Sequence, residues 1–333
     1  MRSWPPPTYP VVAPAADVAT RPLWSVKIPT HNRSEYLGVA LESVLRQAPG
    51  PDEMEIEVVD NSSTDSAAEA IVRTRGAGRV SFYRQPHRVS MSANWTTCIE
   101  RARGHWVHIL HDDDVVVDGF YTAYTRCIKK HPEVVAVFCR GISVDRAGEW
   151  MTLMPSPPDR TGSGVLREAL GPLITKNFIC APAMVVARDV YEKVGGFSDL
   201  FRQCPDWEMW MRVAAIGPLG YLHRPYLLYR VHTGSGTASF GRKAWEFDEL
   251  VHAVELGIGR LPPEQRRDVR RAALRNCAHQ SNTARALLQA EGDHRSALDH
   301  AVWAFRLHPS SRNVLRIVKS ALLAMLVRAE RRC

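Results

Sequence analysis

Short apolar runs alternate with helically spaced segments over residues 23–110, and this alternation most constrains how the chain folds. "LWSVKIPTHNR" opens with a strand-like run, Leu23 to Ile28, that Pro29 is predicted to stop. "SEYLGVALESVLRQ" sets Tyr36, Leu37, Ala40, Leu41, Val44 and Leu45 at helical spacing behind Ser34, the predicted N-cap. "MEIEVVDNSSTD" gives a second strand, Ile56 to Val59, ending at Asp60. "SAAEAIVRTR" reads as a helix, "RVSFYRQ" as a strand, "SMSANWTTCIERAR" as a helix closed by Gly104, and "HWVHIL" as the fourth strand. The order β-α-β-α-β-α-β specifies an α/β layer architecture with a largely parallel sheet. Ligands of such sheets collect beyond the C-terminal strand ends. The polar clusters "PTHNR", "DNSSTD" and "HDDD" fall at those ends.

The last cluster poses an electrostatic problem. Asp112, Asp113 and Asp114 repel one another unless a cation sits among them. Three readings account for them. Acids favour a helix N-terminus by about 0.3–1 kcal/mol each, which explains one or two of them. A solvated acidic turn is the second reading. The third is a hard divalent cation, Mg²⁺ or Mn²⁺, which takes carboxylate oxygens and often binds substrate phosphates as well. Their place at a strand end beside the other polar clusters favours the cation.

Beyond residue 120 the pattern loosens. "YTAYTRCIKKHPEVVAVFCRGISV" reads as helix then strand, and "MPSPPDRTGSG" as a loop. "APAMVVARDVYEKVGGF" reads as a strand and a short helix with a Gly-Gly stop, and "DWEMWMRVAAIG" as a helix. "YLHRPYLLYRVH" contains a last strand, and from about residue 243 the pattern is helical only. "GDHRSALDHAVWAFRLHPSS" resembles half of a tetratricopeptide-type hairpin. In the final helix Leu315, Val318, Leu322, Met325 and Leu326 share a face, with Arg312, Arg316, Lys319, Arg328 and Arg331 as its charges. The formal charge of +8 is concentrated there: residues 241–333 hold 17 Lys and Arg against 10 Asp and Glu. Such a tail suits an anionic neighbour such as a membrane surface, a phospholipid-linked substrate or nucleic acid; a solvated arginine-rich face is the alternative.

The seven cysteines are odd in number and include no C-x-x-C pair, so we expect a reducing compartment and no structural zinc. Prolines break the N-terminal segment, which makes it a poor signal peptide and an expected disordered lead-in over residues 1–20. No run reaches the roughly 18–20 apolar residues that span a bilayer.

Taken in order, "SVKIPTHNR", "IEVVDNSSTD", "NWTTCIERARGHWVHILHDDD", "VGGFSD", "DWEMWMR" and "YRVHTGSGT" resemble the family 2 glycosyltransferases of GT-A fold, over roughly residues 23–240. The resemblance implies a nucleotide-binding, mixed, mostly parallel sheet flanked by helices over residues 21–240, with a nucleotide-sugar half (21–120) and an acceptor half (121–240). A helical C-terminal region, 241–333, follows. It implies an inverting, metal-dependent transfer of a sugar from a UDP- or dTDP-linked donor to an acceptor hydroxyl. Asp113 matches the metal ligand of the family's acidic motif, flanked by Asp112 and Asp114, one of which faces the ribose or sugar; His111 stands where many members have the motif's first acid. Asp60 matches the acid that accepts the imide N–H of uracil or thymine, and heading an Asx-turn is its other reading. Pro29, Thr30 and Arg33 match the first nucleotide-contacting loop, with a solvated role equally open for Arg33. Asp206 matches the catalytic base, here after Pro205 where the family more often has Glu. The same carboxylate could cap the helix that follows, and Glu208 is the fallback base. Trp207 and Trp210 line an acceptor groove or belong to the core. His232 matches a histidine that completes the metal site in some members, Arg230 is a candidate phosphate contact, and Ser235 and Gly236 fall in a candidate closing loop. The implied cofactor is Mn²⁺ or Mg²⁺. The acceptor is a saccharide, a lipid-linked molecule or a natural product. We expect a cytoplasmic protein, with peripheral contact at the inner membrane face through the basic C-terminal helix and no nucleic-acid partner.

A metal-dependent nucleotidyltransferase is the nearest alternative, but "PTHNR" lacks the glycines of a triphosphate-binding loop. No G-x-G-x-x-G follows a strand and no P-loop motif occurs. A non-enzymatic membrane- or nucleic-acid-binding module would use the basic tail but leave the carboxylate clusters unexplained.

Overall fold

The computed structural model describes residues 4–15, 20–65, 67–158, 160–232 and 242–330, the last five as backbone only. Ser235, Gly236 and Arg331 lie outside the described residues, as does the side chain of Arg328. The chain divides into two compact units, residues 6–169 with 178–232 and residues 1–5 with 170–177 and 233–333.

In the first unit the elements are β1 (Trp24–Thr30), α1 (Ser34–Leu45), β2 (Met54–Asp60), α2 (Ala67–Arg75), β3 (Val80–Arg84), α3 (Met91–Glu100), β4 (Trp106–Ile109), β5 (Val115–Val116), α4 (Phe120–Lys130), β6 (Ala136–Val144), β7 (Trp150–Leu153) and β8 (Gly164–Leu166). After α5 (Leu170–Thr175) of the second unit come β9 (Val185–Ala187), α6 (Arg188–Val194), α7 (Pro205–Ala214) and β10 (Leu219–Arg230). The strands form one sheet in the order β3-β2-β1-β4-β9-β6-β10-β5, with β7 added on β6 and β8 on β10. The long pairings, β1 with β2 and β6 with β10, are parallel; β5, β7, β8 and β9 pair antiparallel. This is the expected mixed α/β sheet.

Alternation divides β1 and β2 between two environments. Trp24, Val26, Ile28, Met54, Ile56 and Val58 pack with Leu37, Ala40, Leu41 and Val44 of α1 in an apolar core. Ser25, Lys27, Glu55 and Glu57 are the alternate residues of the two strands. Lys27 Nζ lies 3.2 Å from Glu55 and 3.1 Å from Glu57, and Arg101 and Arg103 reach the same two acids at 2.7 and 2.8 Å. Burial alone would raise Glu55; Lys27, Ser25 and Arg103 outweigh it and bring its carboxyl down to about 2. Glu57 is likewise lowered, its burial outweighed by Arg101 and Lys27. The folded value of Glu55 lies below the ordinary 4.5, so the unfolded chain takes up this proton first as pH falls. The stabilisation is full above about pH 4.5 and lost as pH drops through about 2. In urea unfolding, the wild type should lose on the order of 1–3 kcal/mol more than a Glu55→Gln variant across that window. Parallel pH profiles would refute the ion-pair account.

Three expectations change. Pro29 does not stop β1, which runs on to Thr30 beside Asp60 of β2. What Pro29 ends is the β4 ladder: Leu110 N–H bonds the Lys27 carbonyl at 3.0 Å, and the next rung would need the N–H that proline lacks. Ser34 is the first residue of α1, not its cap; Arg33 occupies the N-cap, and its side chain does not cap the helix. The lead-in is also not free throughout. Val12 is buried, the Ala13 carbonyl accepts from Arg188 at 2.9 Å, and Gly196 N–H donates to the Pro10 carbonyl at 2.7 Å.

The second unit continues as α8 (Phe247–Gly259), α9 (Pro263–Ala290), α10 (His294–Leu307) and α11 (Ser311–Glu330), joined by α5. Asp293 caps α10 by accepting from Ser296 N–H at 3.1 Å. No helix among the described residues is long and apolar enough to cross a membrane.

Candidate active site

The strand order sets the C-terminal ends of β2, β1 and β4 side by side, so Asp60, Thr30 and the segment after Ile109 are neighbours. Asn32 and Ser62 take positive φ (52° and 54°) just beyond β1 and β2. The two turns are tied together, for Asn32 N–H donates to Ser63 Oγ at 2.9 Å and Asn32 Oδ1 accepts Thr64 N–H at 2.8 Å. Residues 111–114 run from the end of β4 into β5, which pairs with β10 and so brings the acids beside Arg230.

Each acid meets different partners. Asp112 accepts the Thr30 hydroxyl at 2.6 Å. Asp113 accepts Arg33 Nη1 at 2.7 Å, and His232 Nε2 lies 3.0 Å from the same oxygen. Asp114 Oδ1 accepts the Arg230 N–H at 2.8 Å. Its buried Oδ2 makes no hydrogen bond, and His111 Nδ1 stands 3.6 Å away. Burial and the charge of Asp113 push Asp112 up to about 7 and Asp114 well above the carboxylate range. Burial also pushes His111 down to about 4, against the pull of Asp113, leaving a neutral imidazole at pH 7. In this structure the Arg33 guanidinium supplies the cation, at 2.7 Å from Asp113 and 3.7 Å from Asp112.

His111, Asp113 and Asp114 each offer one ligand atom, and these atoms lie within 4.8 Å of one another. A neutral imidazole and two acids, one of them with an orphaned buried oxygen, suit a small divalent ion. His111 thus joins the candidate ligand set, although the sequence singled it out only as a departure from the family pattern. Trp95 holds its ring: the two stack with centroids 5.0 Å apart, and Phe197 backs Trp95 edge-on at 5.1 Å. Asp112 is committed instead to Thr30.

Arg230 braces the acid loop. Its Nε donates to the Asp113 carbonyl at 3.0 Å and its Nη1 to the carbonyls of Asp145 and Arg146 at 3.1 and 2.9 Å. The guanidinium also lies 4.7 Å over the Tyr36 ring, which packs 5.4 Å from His232. Fully buried Asp60 accepts the Ser63 N–H at both oxygens, 3.2 and 3.1 Å, together with the Ser63 hydroxyl. The Asx-type turn reading of this acid is therefore realised. Arg84, at the end of β3, pairs with Asp60 at 3.2 Å, a partner the sequence reading missed because nothing local links them.

Asp206 lies in the first turn of α7, whose N-cap is Cys204, with Pro205 leading the helix. It is not the cap, but an acid in the first turn interacts favourably with the helix dipole. Burial, with the charges of Asp114 and Asp206 adding to it, holds the Cys180 thiol well above its ordinary value. Glu208 is committed elsewhere: it is buried, accepts Arg212 Nε at 3.1 and 2.9 Å and accepts the Tyr9 hydroxyl at 2.8 Å. Arg212 in turn donates to the carbonyls of Val194 and Gly196 at 2.6 and 2.9 Å. Trp207 and Trp210 are both buried core residues.

The model of the family described as Glycosyl transferase family 2 matches residues 25–195, just over half of the chain. An uncharacterized protein of Mycobacterium tuberculosis (strain CDC 1551 / Oshkosh) is 29% identical over 202 residues, 58% of this chain and 62% of that relative. The chain thus spans less than two thirds of the relative's length. Among solved structures, S. aureus TarS 1–349 in complex with UDP-GlcNAc is similar at a TM-score of 0.63 and 15% identity, covering 89% of this chain and 79% of that one. The mannosyltransferase PcManGT from Pyrobaculum calidifontis, in complex with GDP-Man and Mn²⁺, is similar at 0.55 and 19% identity, covering 96% and 84%. Identities this low establish likeness of fold.

Proposed function

The chain belongs to glycosyltransferase family 2, and from that premise we propose that it moves a sugar from a UDP- or dTDP-linked donor to an acceptor hydroxyl with inversion at the anomeric carbon. The observation that carries this reading is the acid cluster at the end of β4, where His111, Asp113 and Asp114 offer three ligand atoms within 4.8 Å of one another beside Arg33. The complexes of TarS with UDP-GlcNAc and of PcManGT with GDP-Man and Mn²⁺ support a nucleotide-sugar donor and a divalent metal.

In this reading His111, Asp113 and Asp114 hold the ion, with His232 beside Asp113. When bound, a divalent ion supplies Lewis-acid stabilisation to the charge that grows on a leaving diphosphate. Trp95 fixes the His111 ring, and Arg230 fixes the backbone that carries the acids. Arg33 exchanges its contact with Asp113 for the donor's phosphate oxygens. Asp60 orients the base by accepting an imide N–H, its Oδ2 shared with Arg84. Cytosine, whose N3 is an acceptor, would set two acceptors face to face. Asp206 takes the proton of the acceptor hydroxyl as that oxygen attacks the anomeric carbon opposite the departing nucleoside diphosphate.

Thermal unfolding of the full chain with UDP, dTDP or GDP, each with and without Mn²⁺, tests the reading. A nucleotide at a hundred times its Kd stabilises by about 2.7 kcal/mol, which resolves as a rise of several degrees at most. The expected result is metal-dependent stabilisation by UDP or dTDP. Stabilisation by GDP alone would overturn the donor assignment, and metal-independent stabilisation the role of the cluster.

A further inference from the structure

The last helix, α11, is packed inside out. Its inward side carries Asn313 and Ser320, 3% and 1% exposed. Asn313 donates to the His308 carbonyl at 2.8 Å and accepts from Asn282 of α9 at 3.1 Å. The outward side carries Val314, Leu315, Val318, Leu322 and Met325, exposed at 45, 69, 51, 56 and 64%. At 3.6 residues per turn these five lie within an arc of about 100°, as wide as the stripe a surface helix normally turns to its core. Arg312, Arg316 and Lys319 line the edge next to Leu315, and the helix holds no acid before Glu330.

We propose that α11 lies on an anionic lipid surface, its apolar stripe in the headgroup–acyl boundary and its basic edge against lipid phosphates. An apolar stripe flanked by cations, on a helix too polar to span, is the pattern of an interfacial helix. The charge complementarity selects lipid over a second copy of the chain. Two copies meeting through this stripe bring like charges together, since α11 has no carboxylate before its last residue, Glu330, to receive Arg312, Arg316 or Lys319. The excess of 17 basic over 10 acidic residues in 241–333 adds long-range attraction of the same sign.

Co-sedimentation of the full chain with vesicles tests this, comparing phosphatidylcholine alone with phosphatidylcholine containing about 30 mol % phosphatidylglycerol. Partition onto the anionic vesicles should exceed that onto neutral ones at least about 10-fold and fall as salt is raised. The variant Leu315→Gln/Val318→Gln/Leu322→Gln/Met325→Gln changes only exposed side chains. It should keep its unfolding midpoint and elution volume and lose at least about 10-fold in partition. Arg312→Gln/Lys319→Gln should lose a similar factor on anionic vesicles and little on neutral ones. Equal sedimentation of the wild type and the four-residue variant would overturn the proposal. So would a concentration-dependent dimer that this variant dissolves without vesicle binding by either protein, or retention by duplex DNA with no partition onto lipid.

Discussion

Asp113→Asn abolishes metal-dependent stabilisation by UDP or dTDP and lowers turnover by roughly a hundred-fold or more, the equivalent of about 3 kcal/mol of lost transition-state stabilisation. Asp113 is the acid on which the others depend. It accepts Arg33, stands against His232 and belongs to the one three-residue ligand cluster found among the described residues. Its charge also contributes to the upward displacement of both flanking acids. The amide keeps the size and loses the charge, so the fold should survive while the site's hold on a divalent ion does not. Thermal shift with and without Mn²⁺, alongside steady-state turnover, separates the two effects. Unchanged nucleotide binding and activity would remove the metal assignment and leave Arg33 as the only cation these acids need.

The fold was legible where structure is written in local periodicity. Strands β1 to β4 and helices α1 to α3 each carry their own repeat, and the polar residues that end them mark the strand tips. The sheet beyond β4 was not legible in the same way. β5 and β9 are two and three residues long and gain their place only by pairing with β10, β4 and β6. No local pattern announces such pairings. Pro29 misled because proline costs a strand only the rung that needs its N–H, and here that rung belongs to one neighbour.

The candidate site divides along the same line. Asp113 and Asp206 stand in motifs that can be read in sequence. Arg84 on Asp60 and Trp95 on His111 are contacts between distant segments. For α11 the apolar spacing was visible, but which face turns inward depends on Asn313 meeting Asn282 across 31 residues. The sequence reading also left Glu208 open as a base, whereas its pairing with Arg212 and Tyr9 fixes it in a structural role.

Asp206→Asn should bind donor as the wild type does and lose transfer by roughly 10²- to 10⁴-fold, the contribution of a positioned general base. The carboxylate stands in the first turn of α7, so removing its charge costs the helix only about 0.3–1 kcal/mol. An unfolding midpoint measured alongside turnover separates lost transfer from lost fold. Asp206 is not one of the three candidate ligands, so metal-dependent stabilisation by nucleotide should persist, the opposite of the expectation for Asp113→Asn. The contrast between the variants separates a base from a ligand: one loses binding and turnover together, the other turnover alone. A sugar hydroxyl is too weak an acid to lose its proton to water at neutral pH, so the residual rate should rise with pH as hydroxide takes over the role. Near-normal transfer by Asp206→Asn would exclude this carboxylate as the base. Glu208 could not replace it without first giving up Arg212, whose guanidinium ties α7 to the Val194–Gly196 corner. A buried ion pair broken in that way costs about 3–5 kcal/mol, and for that reason we propose Asp206 rather than Glu208 as the base.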